Sequence, residues 1–283
     1  MRKFAAFFMA LMLLHVCFVA EAETTATDLN AATRKALKLW FPQVTEADCA
    51  LIQCGGQNML VDCGTKDDFG AICEMLEAAQ VEKLDAIFIS HPHHDHMGAL
   101  ELLLDAYPVG TLYVCHDKKE SAKASNMWRW AETRNVPVVR CHTGDVLTVG
   151  ETKLELYLSE RSGVDMNERS GVLRLEFGSC SALLTADIGP YTMQLIHEQM
   201  GDAWLKADIL KFPHHGARAL YDAEMQTIAP DYIVISAEKQ GRDGKKQAEA
   251  QSATVIYTDT DITCFTCNGT AWLQRSIATV TKE

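Results

Sequence analysis

Between residues 90 and 98 the chain reads Ser-His-Pro-His-His-Asp-His-Met-Gly, and His91, His93, Asp95 and His96 have the spacing of a two-metal hydrolase site. Imidazole and carboxylate together suit zinc, manganese or iron. The run follows the apolar stretch Leu84 to Ile89, which reads as a buried parallel strand, and precedes a helical segment from about Ala99 to Tyr107. The histidines therefore sit on a loop at a strand's C-terminal end, the edge at which open α/β sheets gather ligands. A polar loop rich in histidine by chance is the competing reading. Four ligand-type residues in a six-residue window are far denser than 10 histidines in 283 residues predict.

The elements around this loop follow a two-part pattern. Strands near Ala50 to Gln53 and Met59 to Val61 flank Gly55-Gly56, a hairpin signal, and a helix from about Asp67 to Ala79 puts Ile72, Met75, Leu76 and Ala79 on one face. Beyond the loop come a strand at Thr111 to Val114 and a helix around Ser121 to Thr133. Consecutive strands follow at Val146 to Val149, Lys153 to Leu158, Val172 to Phe177 and Ala182 to Thr185. A helix at Tyr191 to Gln199 and strands at Asp208 to Lys211 and Tyr232 to Ile235 complete the second half. Two halves of strands followed by helices predict an α/β fold of two facing sheets with helices outside, a four-layer αβ/βα sandwich. The linker-like run Lys239 to Ser252 lies inside the second half.

Residues 1 to 22 read as a secretory signal peptide: Met1-Arg2-Lys3, then an apolar run from Phe4 to Ala20 broken by His15, then the small-x-small pattern Ala20-Glu21-Ala22, with cleavage after Ala22. Residues 23–283 are then a single secreted domain, and no other segment is long and apolar enough to span a membrane. Cleavage removes Arg2, Lys3 and Glu21, a net +1, and moves the formal charge from -12 to -13. Tight duplex DNA binding normally needs a basic footprint, so no such partner is expected. Nine cysteines remain after cleavage. An odd number scattered through apolar strands reads as reduced core residues rather than a disulfide framework. Cys264 and Cys267 have zinc-knuckle spacing without a second pair, and on a strand they face opposite sides.

The motif His-x-His-x-Asp-His after a strand resembles the metallo-β-lactamase fold superfamily. Val44 to Ile52 and Met59-Leu60-Val61-Asp62-Cys63-Gly64 look like its opening strand pair. Asn167-Glu168-Arg169-Ser170, Leu183 to Ile188 and Leu210-Lys211-Phe212-Pro213-His214-His215-Gly216 are similar to its DNA-internalisation branch, the ComEC type. The resemblance implies two divalent metal ions, zinc first, with manganese or iron as alternatives. It places His91 and His93 on one ion, Asp95 and His96 on the other, and Asp187 between them. It assigns a further ligand to Pro213-His214-His215-Gly216: His215 is favoured, with His214 beside substrate or leaving group, and the order can be reversed. Asp187 as a helix N-cap ahead of Tyr191 is the structural alternative.

Two departures from the family pattern stand out. The third histidine that many members give the first metal is replaced by Asn167-Glu168-Arg169-Ser170, so that ion is expected to bind more weakly. The Gly-His-Pro element of the related branch is absent from Gln240 to Lys246, which leaves a pocket wall or substrate contact in question. The expected chemistry is hydrolysis by a metal-bridged hydroxide, with Asp95 orienting it or taking its proton and His214 or Lys211 stabilising the leaving oxygen. Lys211 reads equally as a strand-end residue pointing to solvent. A small phosphoester is the expected substrate. Acyl hydrolysis of a lactam, lactone or thioester, a DNA-uptake nuclease and a binding protein with a decayed site are the alternatives.

Overall fold

In a computed structural model, residues 36–238 and 242–278 are described; the signal-peptide reading of residues 1–22 lies outside them. Eight strands form one mixed sheet: β1 (Leu37–Phe41), β2 (Ala50–Cys54), β3 (Gln57–Val61), β4 (Leu84–Ile89), β5 (Val109–Val114), β6 (Val138–Arg140), and from the C-terminal end β14 (Ile262–Cys267) and β15 (Trp272–Ile277), in the order β15-β14-β1-β2-β3-β4-β5-β6. The second sheet takes β7 (Val146–Val149), β8 (Thr152–Leu158), β9 (Gly171–Phe177), β10 (Cys180–Leu184), β11 (Ile209–Lys211), β12 (Tyr232–Ile235) and β13 (Thr254–Tyr257), ordered β13-β12-β11-β10-β9-β8-β7. Strands β3 to β6 are parallel, as are β10 to β13. Each parallel set sends its C-terminal ends to one edge, where the chain can leave the sheet and present polar side chains.

Alternation along the strands builds three apolar layers. In β4, Ala86 and Phe88 face the other sheet and join Leu39, Ile52, Leu156, Leu173 and Leu184 in the central core. Its neighbours Ile87 and Ile89 face outward. There they meet α1 (Phe69–Ala78), α3 (Leu100–Ala106) and α4 (Ala122–Glu132) through residues such as Ile72, Leu103 and Met127. Leu183, Leu210 and Ile233 likewise face α5 (Pro190–Met200), α6 (Asp202–Leu205), α7 (Asp222–Ile228) and α8 (Asp243–Glu249). This is the expected αβ/βα sandwich. Strands buried on both faces read as continuous apolar runs, which is why β4, β10 and β12 are conspicuous in the sequence.

Other elements are not marked by sequence patterning. β6 is three residues long, and α8, with sequence Asp-Gly-Lys-Lys-Gln-Ala-Glu, lies inside the run read as linker-like; its polar composition hides the burial of Gly244, Lys245 and Ala248. The cysteine reading also needs correction, because Cys180 and Cys267 form a disulfide that joins the two sheets across 87 residues. Both face the central core, and tertiary pairing across the sandwich leaves no local spacing signal. Cys264, on the opposite face of β14, packs in the outer layer.

Candidate metal centre

Ser90 and His91 follow β4 directly, and a single turn α2 (His94–Met97) carries Asp95 and His96 inward while His94 stays 78% exposed. The turn is locked by backbone: Cys63 N–H donates to His96 O at 2.6 Å and Gly98 N–H to Gly64 O at 2.8 Å. A Cβ on Gly98 would stand 2.3 Å from His94 O, so only glycine lets the loop close there. Asp187 arrives three residues beyond β10, and His214 and His215 just beyond β11. Ala186, His214 and His215 all have positive φ (44°, 49° and 53°), strained backbone of the kind found at functional sites.

These three strand ends converge. Donor atoms of Asp95, His96, Asp187 and His215 lie within 4.8 Å of one another. Asp187 Oδ1 is 3.1 Å from His96 Nε2 and 3.6 Å from His215 Nε2, while its Oδ2 is 3.9 Å from His91 Nε2. The His91 ring lies 4.6 Å from that of His93 and 4.1 Å from that of His96. His215 turns inward, with its side chain 4% exposed and Nε2 3.3 Å from Asp95 Oδ2. His214 is 36% exposed, at the rim. The N-cap of α5 is Gly189, so Asp187 does not cap it.

Behind the histidines stands a layer of residues to which the sequence assigned no role: Asp62, Asp48, Ser90 and Ser170 lie within quoted motifs, and Ser236 lies outside them all. Asp62 accepts at 2.8 Å from His96 Nδ1 and also from the Ser90 N–H and hydroxyl. Ser236 and Asp48 lie 2.9 and 3.3 Å from His215 Nδ1, and the Ser236 hydroxyl donates to Asp48. Ser170 lies 3.1 Å from His91 Nδ1. Each of these imidazoles thus has Nδ1 engaged and Nε2 turned to the centre, the arrangement that fixes tautomer and ring orientation in metal sites. Asp48 and Asp62 sit on β-strand shoulders among apolar neighbours, so only the buried placement of an acid hinted at them.

Lys211 requires a correction. It neither points to solvent nor stands at the mouth: it is buried, its Nζ 2.7 Å from Asp48 Oδ1 and 3.3 Å from the Phe212 carbonyl. It lines a cavity of about 20 Å³ walled entirely by buried residues, among them Asp48 and Asp62. Of the histidines away from the centre, His142 is exposed on a loop, while buried His116 bonds Glu120 and the Arg169 carbonyl, holding the Asn167 turn in place.

Charge in the centre is unbalanced in favour of a cation. Burial opposes charging His96, yet Asp187 and Asp62 raise its pKa well above the usual imidazole value; against the same desolvation, Asp48, Asp95 and Asp187 lift His215 to about 9. His91, with only hydroxyl groups on Nδ1, is pushed down by burial and by its histidine neighbours. Buried His91 Nε2 has no hydrogen-bond partner among the described residues, and buried His96 Nε2 and Asp187 Oδ1 stand 3.1 Å apart without hydrogen-bond geometry. Unsatisfied buried donors and acceptors facing a carboxylate-rich centre fit a pair of divalent cations.

The profile of the metallo-β-lactamase superfamily matches residues 43–236, a span that contains every residue of this centre. The chain belongs to the metallo-β-lactamase superfamily. Among curated relatives, this metallo-β-lactamase domain is 29% identical over 169 residues to ComE operon protein 3 of Bacillus subtilis strain 168, covering 59% of this chain and 22% of that one. It is 26% identical over 192 residues to competence protein ComA of Neisseria gonorrhoeae, covering 66% and 25%. The chain thus spans about a quarter of the curated relatives it matches, and these alignments support the ComEC-type branch. The solved metallo-β-lactamase fold protein YhfI of Bacillus subtilis aligns over 78% of this chain and 96% of its own with a TM-score of 0.53 at 15% identity, a likeness of fold. Metal-dependent hydrolysis is the superfamily-level activity that the profile match and the donor set support.

Proposed function

We propose that this domain is a secreted metal-dependent hydrolase of small phosphoesters. The observation that carries the reading is the position of Asp187, whose two oxygens face His96 and His215 on one side and His91 on the other. One ion would take Asp95, His96, Asp187 and His215. The other would take His91, His93 and Asp187, with Asn167 supplying a carboxamide oxygen. Nitrogen and oxygen donors without thiolate suit zinc first, then manganese or iron. When bound, such ions make water acidic enough to ionise near neutral pH and neutralise charge on phosphoryl oxygens.

The chain's own side chains supply the rest. Burial opposes ionisation of Asp95, but His215 and His96 hold its pKa well below the usual carboxylate value, and its 18% exposure opens it to the cleft. It therefore stays ionised and is placed to orient a water molecule. His214 Nε2, 3.8 Å from Asp187 Oδ2, is placed at the rim to protonate a leaving oxygen. Lys211 has no part in that step; it neutralises Asp48. Asn167, Asp187 and His214 share a cavity of about 190 Å³, a volume for a small substrate.

Surface charge favours a small substrate over long DNA. Several basic residues are already engaged: Arg134 pairs with Asp105 at 2.7 Å, Arg140 reaches Glu120 at 3.5 Å, Lys246 reaches Asp243 at 3.4 Å, and Lys245 is buried on the Glu238 carbonyl, while Arg129 bonds, among the described residues, only the Asn126 side chain. The disulfide supports an oxidising compartment, in line with the signal-peptide reading of residues 1–22. The test is turnover by the zinc- or manganese-loaded protein of bis-p-nitrophenyl phosphate and p-nitrophenyl phosphate beside a cephalosporin, with duplex DNA affinity measured near physiological salt. Phosphoester turnover with weak DNA binding is expected. Cephalosporin turnover alone would move the assignment to acyl hydrolysis, and sub-micromolar DNA binding with little turnover of either ester would move it to a nuclease.

A further inference from the structure

The cavity beside Asp187 is lined by one cation that the metal centre does not use. Arg218 lines it together with Asp187, Asn167 and His214, is exposed, and has no ion pair or hydrogen bond with any described residue. Asp165, Glu168 and Asp187 share that wall, and none of them forms an ion pair with the guanidinium. Glu168 accepts from the Thr192 hydroxyl and the Gly189 N–H, and Asp165 accepts from the Asn167 N–H at 2.9 Å. An arginine facing a cavity without a carboxylate partner is a fork of donors looking for an anion.

The backbone beneath Arg218 is fixed. α8 packs so closely on it that a Cβ on Gly244 would stand 2.5 Å from the Arg218 carbonyl oxygen and 2.7 Å from that of Gly216. Gly216 itself has φ of 74°, and Lys245, the next residue of α8, lies against it. The segment that lacks the related branch's Gly-His-Pro element therefore supplies a helix that clamps the Arg218 turn. Preorganisation of this kind lowers the ordering cost of binding.

We propose that Arg218 selects, among phosphoesters, those carrying a second anionic group next to the scissile phosphate, such as a second phosphoryl group or a carboxylate, and receives that group as a two-point charge-assisted pair. This deepens the phosphoester reading and rests on it. The metals would hold the scissile phosphate, and the guanidinium on the same cavity wall would receive the neighbouring charge.

The experiment compares two non-hydrolysable anions on the zinc-loaded protein by calorimetry: methylphosphonate, with one anionic end, and phosphonoacetate, with two. Wild type is expected to prefer phosphonoacetate by about tenfold or more, the scale of one charge-assisted pair. Arg218→Met should remove that preference and leave methylphosphonate affinity unchanged, while Arg218→Lys, which keeps the charge and loses the fork, should retain part of it. A preference that survives in Arg218→Met, an equal loss for both anions, or no preference in wild type would each overturn the assignment. Turnover of bis-p-nitrophenyl phosphate is read separately: its absence beside an intact, Arg218-dependent preference would sink the phosphoester reading and leave the anion site standing.

Discussion

Asp48 and Lys211, 163 residues apart in sequence, meet as a buried ion pair directly behind the His215 imidazole, at 2.7 Å from Nζ to Oδ1. The lysine comes from the end of β11 in one sheet and the aspartate from the shoulder of β2 in the other, so the pair ties the two sheets together at the metal centre. Burial alone would raise the Asp48 pKa; Lys211 and His215 together hold it well below the usual value. The carboxylate therefore stays ionised and can fix the His215 tautomer.

Removing one member of this pair strands the other. Asp48→Asn should cost on the order of 3–5 kcal/mol in urea unfolding, whereas Asp48→Asn with Lys211→Met should recover most of that loss. Zinc affinity should fall in both, by roughly 10- to 100-fold, since His215 loses its orienting partner in each. A double variant as unstable as the single one would show that the two residues do not act as a unit.

Asp187→Ala addresses the bridging role. Because Gly189 rather than Asp187 occupies the N-cap of α5, the substitution has no cap to remove and should leave the metal-free protein folded. It should lower occupancy of both ions and abolish turnover. Elemental analysis and activity on the same preparation give the answer, and a fully metallated, active variant would refute the assignment.

Proton and metal compete for the same imidazoles. His215 in the metal-free protein is raised from 6.5 to about 9, with burial opposing and Asp48, Asp95 and Asp187 outweighing it. A histidine whose folded pKa exceeds its unfolded value stabilises the fold fully below the unfolded value, and that contribution is lost as pH rises through the folded one. The metal-free protein should therefore lose stability from about pH 6.5 to pH 9. Metal binding displaces these protons, so zinc affinity should rise across the same window. Thermal melts with chelator and with zinc check both: the gain in Tm from zinc should widen with pH, and a gain that stays flat would contradict the charge balance described here.

The disulfide anchors the start of β10, while Asp187 lies past that strand's other end. Replacing Cys180 and Cys267 by serine opens a closure of 87 residues and should cost about 2–5 kcal/mol in unfolding free energy, with metal affinity little changed. Chemical denaturation with and without reductant checks the first part and a zinc titration the second. A variant of unchanged stability would mean that the bridge adds no constraint.

What the sequence disclosed follows a physical rule. β4, β10 and β11 are buried on both faces, so they read as apolar runs, and the ligand residues beyond them could be placed on one edge from the sequence. His91, His93, Asp95 and His96 were legible for the further reason that local spacing alone groups them. Asp48, Ser236 and Ser170 were not, because each acts through a partner 79 to 188 residues away and none differs in type from an ordinary loop residue. The same holds for Lys211, whose partner is on the other sheet, and for Cys180 and Cys267. α8 escaped because its buried face is made of Gly244, the Lys245 stem and Ala248, which carry no apolar signature.

The two metal positions should differ in strength, and on the proposed ligand sets Asn167 is part of the cause. His96 and His215 are each backed by a buried carboxylate, which raises their basicity as ligands, whereas His91 is backed by hydroxyl groups and His93 has a pKa lowered by burial and by Lys123. The stretch Asn167-Glu168-Arg169-Ser170 stands where the superfamily pattern would place a further histidine, and within it Asn167 Oδ1 is buried without a hydrogen-bond partner among the described residues. A neutral carboxamide oxygen is a weaker donor to zinc than imidazole. Zinc titration of the metal-free protein should show two affinities at least about tenfold apart, on the order of 1.4 kcal/mol. Asn167→Ala should weaken only the lower-affinity step, and Asn167→His should bring the two closer together. Two equal sites in the parent protein, or an Asn167→Ala titration indistinguishable from it, would show that this oxygen faces the centre without serving it.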